Sequence, residues 1–173
     1  LYDENLEVET WFDLGMNDQT VIWFVQRYKS EIRLIDYYEN SGEGLDHYAK
    51  VLKNKPYDYS THIAPHDIKV RELGAYGKSR LESALELGIS FTVAPKLSIE
   101  DGIEAVRKAI PNCYFDKNKC QVGIEALKAY QKRWDEKNQC FRNKPLHNFA
   151  SHSADAFRTG IVGSGLEATD WKK

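Results

Sequence analysis

Cysteine is scarce in this chain: Cys113, Cys120 and Cys140 make an odd number, and no two stand in a C-x-x-C spacing. That supports neither a disulfide framework nor a zinc site, so reduced thiols in a cytoplasmic setting are expected. Long apolar runs are missing too. Nothing approaches the roughly 20 residues a membrane helix needs, and the first residues lack the form of a signal peptide, so no membrane partner is expected. Methionine occurs once, as Met16, and the chain opens on Leu1; the expectation is an excised domain whose upstream partner is absent from this chain. Excess positive charge is lacking as well. The net charge of -2 is unlike that of a dedicated nucleic-acid binder, which is usually basic, although gathered metal-binding carboxylates lower the apparent basicity. Gly77-Lys78-Ser79 has the form of a P-loop ending, but that motif requires a glycine five residues before Gly77, where Glu72 stands. No intact nucleotide site is present.

What is there fits one domain. The 173 residues are 42% hydrophobic and 29% charged, enough to bury a core. Val8 to Leu14, Thr20 to Tyr28 and Ile32 to Tyr38 are rich in β-branched and aromatic residues with short connections, which predicts an antiparallel three-strand meander. Leu45, Tyr48, Ala49 and Leu52 recur at helical spacing before Pro56. A short strand, Thr61 to Ala64, runs into Pro65-His66-Asp67. Ser79 with Glu82 forms a capping box before a helix that stops at Gly88. Ile89 to Ala94 reads as a buried strand, and Ser98 with Asp101 opens a helix carrying Ile99, Ile103, Val106 and Ile110. Cys113 to Phe115 adds a short extended piece, and Leu127, Tyr130 and Trp134 mark a helix from near Asn118. Lys137 to Asn148 reads as a polar hairpin or loop. A last helix runs from about Ser151 to Thr159 and stops at Gly160, leaving residues 161–173 as a tail. There are no repeats. The pattern is an α/β fold with a mixed sheet and helices on both faces.

Three aspartates carry the chemistry. Asp13 sits late in an apolar strand, where a carboxylate is costly unless paired or metal-bound. Asp67 follows a short strand, and Asp155 lies in a helix between Ala154, Ala156 and Phe157. Taken singly, a strand-end aspartate is more often a turn residue and a helical one is more often solvated. Taken together, two strand ends and a helix can converge as an open oxygen-ligand site for Mg²⁺ or Mn²⁺. From composition and spacing alone, both readings stay open.

The ordered set of short motifs narrows them. Asp13-Leu14-Gly15 with Asp18-Gln19-Thr20, then Ala64-Pro65-His66-Asp67, then Pro145-Leu146-His147 with Ser151-His152-Ser153-Ala154-Asp155-Ala156-Phe157-Arg158 resemble the nuclease domain of tailed-bacteriophage terminase large subunits. Asp101-Gly102-Ile103, Phe115-Asp116 and the helix through Leu127 and Tyr130 are similar in the same order. The likeness runs from about Trp11 to Gly160. It implies a ribonuclease H-like fold over residues 1–160 and a divalent-metal-dependent endodeoxyribonuclease that binds two Mg²⁺ or Mn²⁺ ions. Such an enzyme cuts concatemeric double-stranded viral DNA during packaging. It also implies an upstream ATPase domain, a small terminase subunit and a portal as partners, the host cytoplasm as location, and a monomeric isolated domain.

By that resemblance Asp13 bridges both metals, Asp67 binds one and Asp155 the other. Asp18 is an additional ligand or a turn residue. His152, one helical turn before Asp155, orients water, binds metal or shuttles a proton. Asn148 stands where relatives often carry aspartate; as a helix cap it serves equally well. His66 and His147 are weaker candidates. Lys69, Arg71, Lys78, Arg80 and Arg158 are candidates to meet DNA phosphates. Two other readings fit less of the pattern: a junction resolvase or transposase-like nuclease, and a non-catalytic docking module of a packaging motor.

Overall fold

A computed structural model of the chain describes residues 1–15, 19–70, 77–139 and 149–165, with backbone alone for 131–139 and 149–150. The meander forms as its composition predicts: β1 (Val8–Leu14), β2 (Thr20–Tyr28) and β3 (Glu31–Asn40) pair antiparallel. Then come α1 (Leu45–Asn54), β4 (Tyr59–Ala64), a 3₁₀ turn (His66–Lys69), α2 (Arg80–Glu86), β5 (Phe91–Val93), α3 (Ile99–Ala109), β6 (Cys113–Phe115), α4 (Gln121–Gln139) and α5 (Phe149–Gly163). The sheet order is β5-β4-β1-β2-β3-β6, with β4 parallel to both β1 and β5, and β6 parallel to β3. The expected mixed sheet is present.

Both capping predictions hold at the atomic level: the Ser79 side chain accepts from the Glu82 amide and that of Ser98 from the Asp101 amide, each satisfying an amide the helix start leaves orphaned. The fifth strand is shorter than its apolar run, although Ile89 and Ala94 at its ends are buried. Asp116 Oδ1 accepts from the amides of Asn118 and Lys119, closing a turn, so that α4 starts three residues after Asn118. Its helix runs through Gln139; 140–148, the rest of the expected loop, lies outside the described residues.

Alternation along the strands assigns the two faces. Val8, Phe12 and Leu14 of β1 join Ile22, Phe24 and Ile35 under α1 and α2. Trp11 joins Val21, Trp23, Val25 and Leu34 under α3, α4 and α5. The register of β2 and β3 shifts between Phe24 and Val25, where Phe24 faces Asp36 but Val25 faces Leu34. Ile35 is the extra residue of this bulge, and it reverses the parity of the rest of β3. Tyr37 is thereby delivered to the α5 face, and Asp36 to the α1 face, where its carboxylate accepts from Lys55 Nζ at 2.8 Å and the buried Tyr57 hydroxyl at 2.9 Å.

The last helix does not stop at Gly160. It continues to Gly163, the Ser164 amide donates to the Gly160 carbonyl at 3.0 Å, and Ile161 is fully buried. Residues assigned from sequence to a tail thus close the helix, whose end is marked by Gly165 at φ +71°, a left-handed terminus. Gly160 serves a different purpose. A Cβ there would fall 1.8 Å from Trp11 Cδ2 and 2.0 Å from Cγ, so the helix backbone rests directly on the indole ring. The ring cannot yield: its Nε1 donates to Glu9 Oε1 at 2.7 Å, Glu9 is paired with Arg27, and Phe157 packs edge-on against it.

Two outcomes are expected. Gly160→Ala, which in an exposed helix would be mildly stabilising, should here cost about 3 kcal/mol by overpacking; an unchanged or raised urea midpoint would show that the ring and helix are not in contact. The second concerns His62, which lies against Phe12, Tyr59 and Phe91 with Nδ1 2.6 Å from Thr10 Oγ1. Burial holds its pKa down at about 4. Between the ordinary value of about 6.5 and that value the unfolded chain binds a proton that the folded one does not, so stability falls as pH is lowered through this window. His62 should contribute a loss of about 2 kcal/mol between about pH 7 and pH 5, and urea titrations of His62→Gln should lack that component.

Candidate metal centre

Asp13 is the next-to-last residue of β1 and points to the α5 face, following Trp11 in the alternation. Because β4 runs parallel to β1 with Trp11 opposite Ile63, the chain leaving β4 passes level with Asp13 as it enters Pro65 and the 3₁₀ turn. Helix α5 supplies the third wall. His152 and Asp155, three residues apart, share one helix face. Ser153 ties the helix down on the neighbouring face: its carbonyl accepts from Trp23 Nε1 at 3.0 Å and its hydroxyl is hydrogen-bonded to that of Tyr37.

Ligand atoms from Asp13, His152 and Asp155 all lie within 4.8 Å of one another. His152 Nδ1 is 2.8 Å from Asp13 Oδ2, and Arg158 Nη2 donates to Asp155 Oδ1 at 2.6 Å. The hydrogen bond to Asp13 pushes the His152 pKa up, against burial. Asp155 is also pushed up, by burial first and by the charge of Asp13, with Arg158 and His152 opposing. The Asp155 shift reflects a partly desolvated carboxylate beside a second one, a place where a cation is favoured.

Asp67 stands in the 3₁₀ turn and does not join that close trio. It lines, with Asp13 and Asp155, a cavity of about 250 Å³ whose other walls include Pro65, Ile99, Gly102 and Arg158. One of its carboxylate oxygens, Oδ1, is buried with no hydrogen-bond partner among the described residues. A buried carboxylate oxygen left unmatched is costly, and a divalent ion in the cavity is what such an oxygen would bind. The donor set, oxygen with one imidazole nitrogen, fits Mn²⁺ or Mg²⁺.

The other candidates divide. His66 lines the same cavity and is exposed, as is Lys69 in the same turn. Lys78 is paired with Glu86 on α2. Arg80 Nη1 donates to the Leu14 carbonyl at 2.7 Å, bracing the end of β1. Arg158 is bonded to Asp155. Asp18, Arg71, His147 and Asn148 lie outside the described residues. Sequence reasoning leaves His152 with several options, whereas the fold puts it against Asp13. It misses Tyr37 and Ser153, whose polarity gives no hint of a shared bond, and it misses the cavity walls Leu97, Ser98 and Ile99, which read only as a helix start.

No family model matches the chain, and no curated protein sequence does. Solved structures do match. The large terminase of a thermophilic bacteriophage aligns with 96% of the chain at 16% identity and a TM-score of 0.67, and the chain spans 41% of that protein. The P22 large terminase nuclease domain aligns over 94% of this chain and 83% of its own, at 17% identity and TM-score 0.66. The nuclease domain of g2p, the large terminase of bacteriophage SPP1, solved with bound Mn, aligns over 88% and 84%, at 15% identity and TM-score 0.56. The six-stranded mixed sheet and its flanking helices therefore share the fold of these terminase nuclease domains.

Proposed function

We propose that this chain is a divalent-metal-dependent endonuclease that cuts concatemeric double-stranded viral DNA during genome packaging, with two ions at the centre formed by Asp13, Asp67, His152 and Asp155. The observation that carries the reading is the meeting of Asp13, His152 and Asp155 beside the cavity that Asp67 also lines. These residues come from two strand ends and a helix, and the fold is one in which a bound Mn has been seen in the SPP1 domain. Asp18 is a further ligand in this proposal.

Asp13 and Asp155 would hold the ions from opposite walls, and Asp67 would complete the set from the turn after β4. When bound, such ions activate water and stabilise the leaving oxygen of a phosphodiester, giving 3′ hydroxyl and 5′ phosphate ends. His152, hydrogen-bonded at Nδ1 to Asp13, is held in one orientation by that bond and can keep or pass a proton near neutral pH. The exposed Lys69, with Arg71, would meet phosphates rather than base edges, and Lys78 and Arg80 would do so only on leaving Glu86 and the Leu14 carbonyl, so little sequence preference is expected. The resemblance supports an ATPase motor domain, a small terminase subunit and the portal as partners, acting in the host cytoplasm.

The test is plasmid nicking with Mn²⁺. Asp13→Ala should remain folded by circular dichroism and lose at least about a hundredfold in rate. Full activity in that variant would remove the proposed centre.

A further inference from the structure

Arg158 has an odd place for a phosphate-binding residue. Its guanidinium is engaged by Asp155 Oδ1 at 2.6 Å, and its side chain is only 20% exposed. The stem is seated across a helix: a Cβ on Gly102 of α3 would fall 2.4 Å from Arg158 Cδ and 2.9 Å from Cγ. Only a residue without a side chain leaves room for that course, and Gly102 is itself buried. The same guanidinium is close enough to the half-buried Tyr130 of α4 to act on its phenol electrostatically. Neighbouring helices thus hold the arginine against one of the site's own acidic ligands.

The geometry points to Arg158 as a resident counter-cation whose charge beside Asp155 opposes a divalent metal there and so sets how weakly the centre binds it. The inference rests on the metal-dependent reading of the centre. With Oδ1 taken by Arg158, a metal ion held by Asp155 would leave that bond intact if it used the other carboxylate oxygen. An ion sharing Oδ1 would stand one coordination bond and one hydrogen bond from the guanidinium nitrogen, about 4 to 5 Å away. Repulsion between a double and a single positive charge at that distance weakens binding about tenfold even at the dielectric constant of water, and more where solvent is partly excluded. A merely orienting arginine would act in the opposite direction, since loss of a partner that holds a metal ligand in place lowers metal affinity about 10- to 100-fold. A phosphate contact would leave metal affinity alone and reduce the salt dependence of DNA binding by about one counterion.

Mn²⁺ binding to the DNA-free protein, read by calorimetry, separates these roles without using cleavage. Arg158→Gln should bind Mn²⁺ about tenfold more tightly than the parent. Arg158→Lys, which keeps the charge, should stay within about threefold of it. Gly102→Ala forces the arginine off its seat while favouring the helix, so it should also tighten Mn²⁺ binding with its thermal midpoint retained. Unchanged or weaker Mn²⁺ binding in both Arg158→Gln and Gly102→Ala would overturn the inference, and a shallower salt slope of DNA binding in Arg158→Gln would then assign the residue to phosphate. Metal binding by the parent protein without any DNA cleavage would sink the nuclease reading and leave this one standing.

Discussion

The close seating of α5 on the sheet is the constraint from which the centre follows. At Gly160 the helix backbone lies on the indole of Trp11, closer than any side chain would permit. Trp11 and Asp13 are two residues apart on one strand face, while Gly160 and Asp155 are five apart on the helix, so the contact that fixes the first pair of positions fixes the second. Seated directly on the ring, α5 carries an imidazole to within hydrogen-bond reach of a strand carboxylate and a second carboxylate to within 4.8 Å of both. The ring that takes this load is anchored by Glu9, and Glu9 by Arg27. A charged pair under the far end of the helix thereby serves geometry at the other.

Electrostatics at the centre oppose the packing. Asp13 and Asp155 raise one another's energy, and each has a different hydrogen-bond partner, His152 for the first and Arg158 for the second. Asp67 keeps a buried oxygen unmatched among the described residues. A site of this kind is folded at some cost in stability and recovers it when a cation enters, which is a common arrangement at functional centres. The remaining cavity wall is apolar in part, through Pro65, Leu97 and Ile99, which limits the water that can screen these charges.

Much of the fold was legible in the chain. The meander, both serine N-caps and the strand that ends at Ala64 obey local rules, because β-branched runs, short turns and Ser-x-x-Glu or Ser-x-x-Asp spacings act over a few residues. The bulge in β3 was not legible: it turns Ile35 and Asp36 to the same face, and nothing in a strand buried on both sides marks that in the sequence. The end of the last helix was not legible. Gly160 carries the same signal as a helix terminus, and only the ring beneath it reveals a residue chosen for its lack of volume. Nor could the sequence separate a basic residue aimed at solvent from one folded back on a remote carbonyl, as Arg80 is on Leu14.

The order of residues was enough to set the elements, the candidate acids and the succession of their motifs, all of which depend on neighbours within a turn or a hairpin. It took the folded chain to bring His152 against Asp13 across 139 residues and to stand Asp67 apart from the tight trio. Those outcomes rest on strand order and on how near a helix can come to a sheet. Such distances are set by volume and packing between remote segments, and no local pattern encodes them.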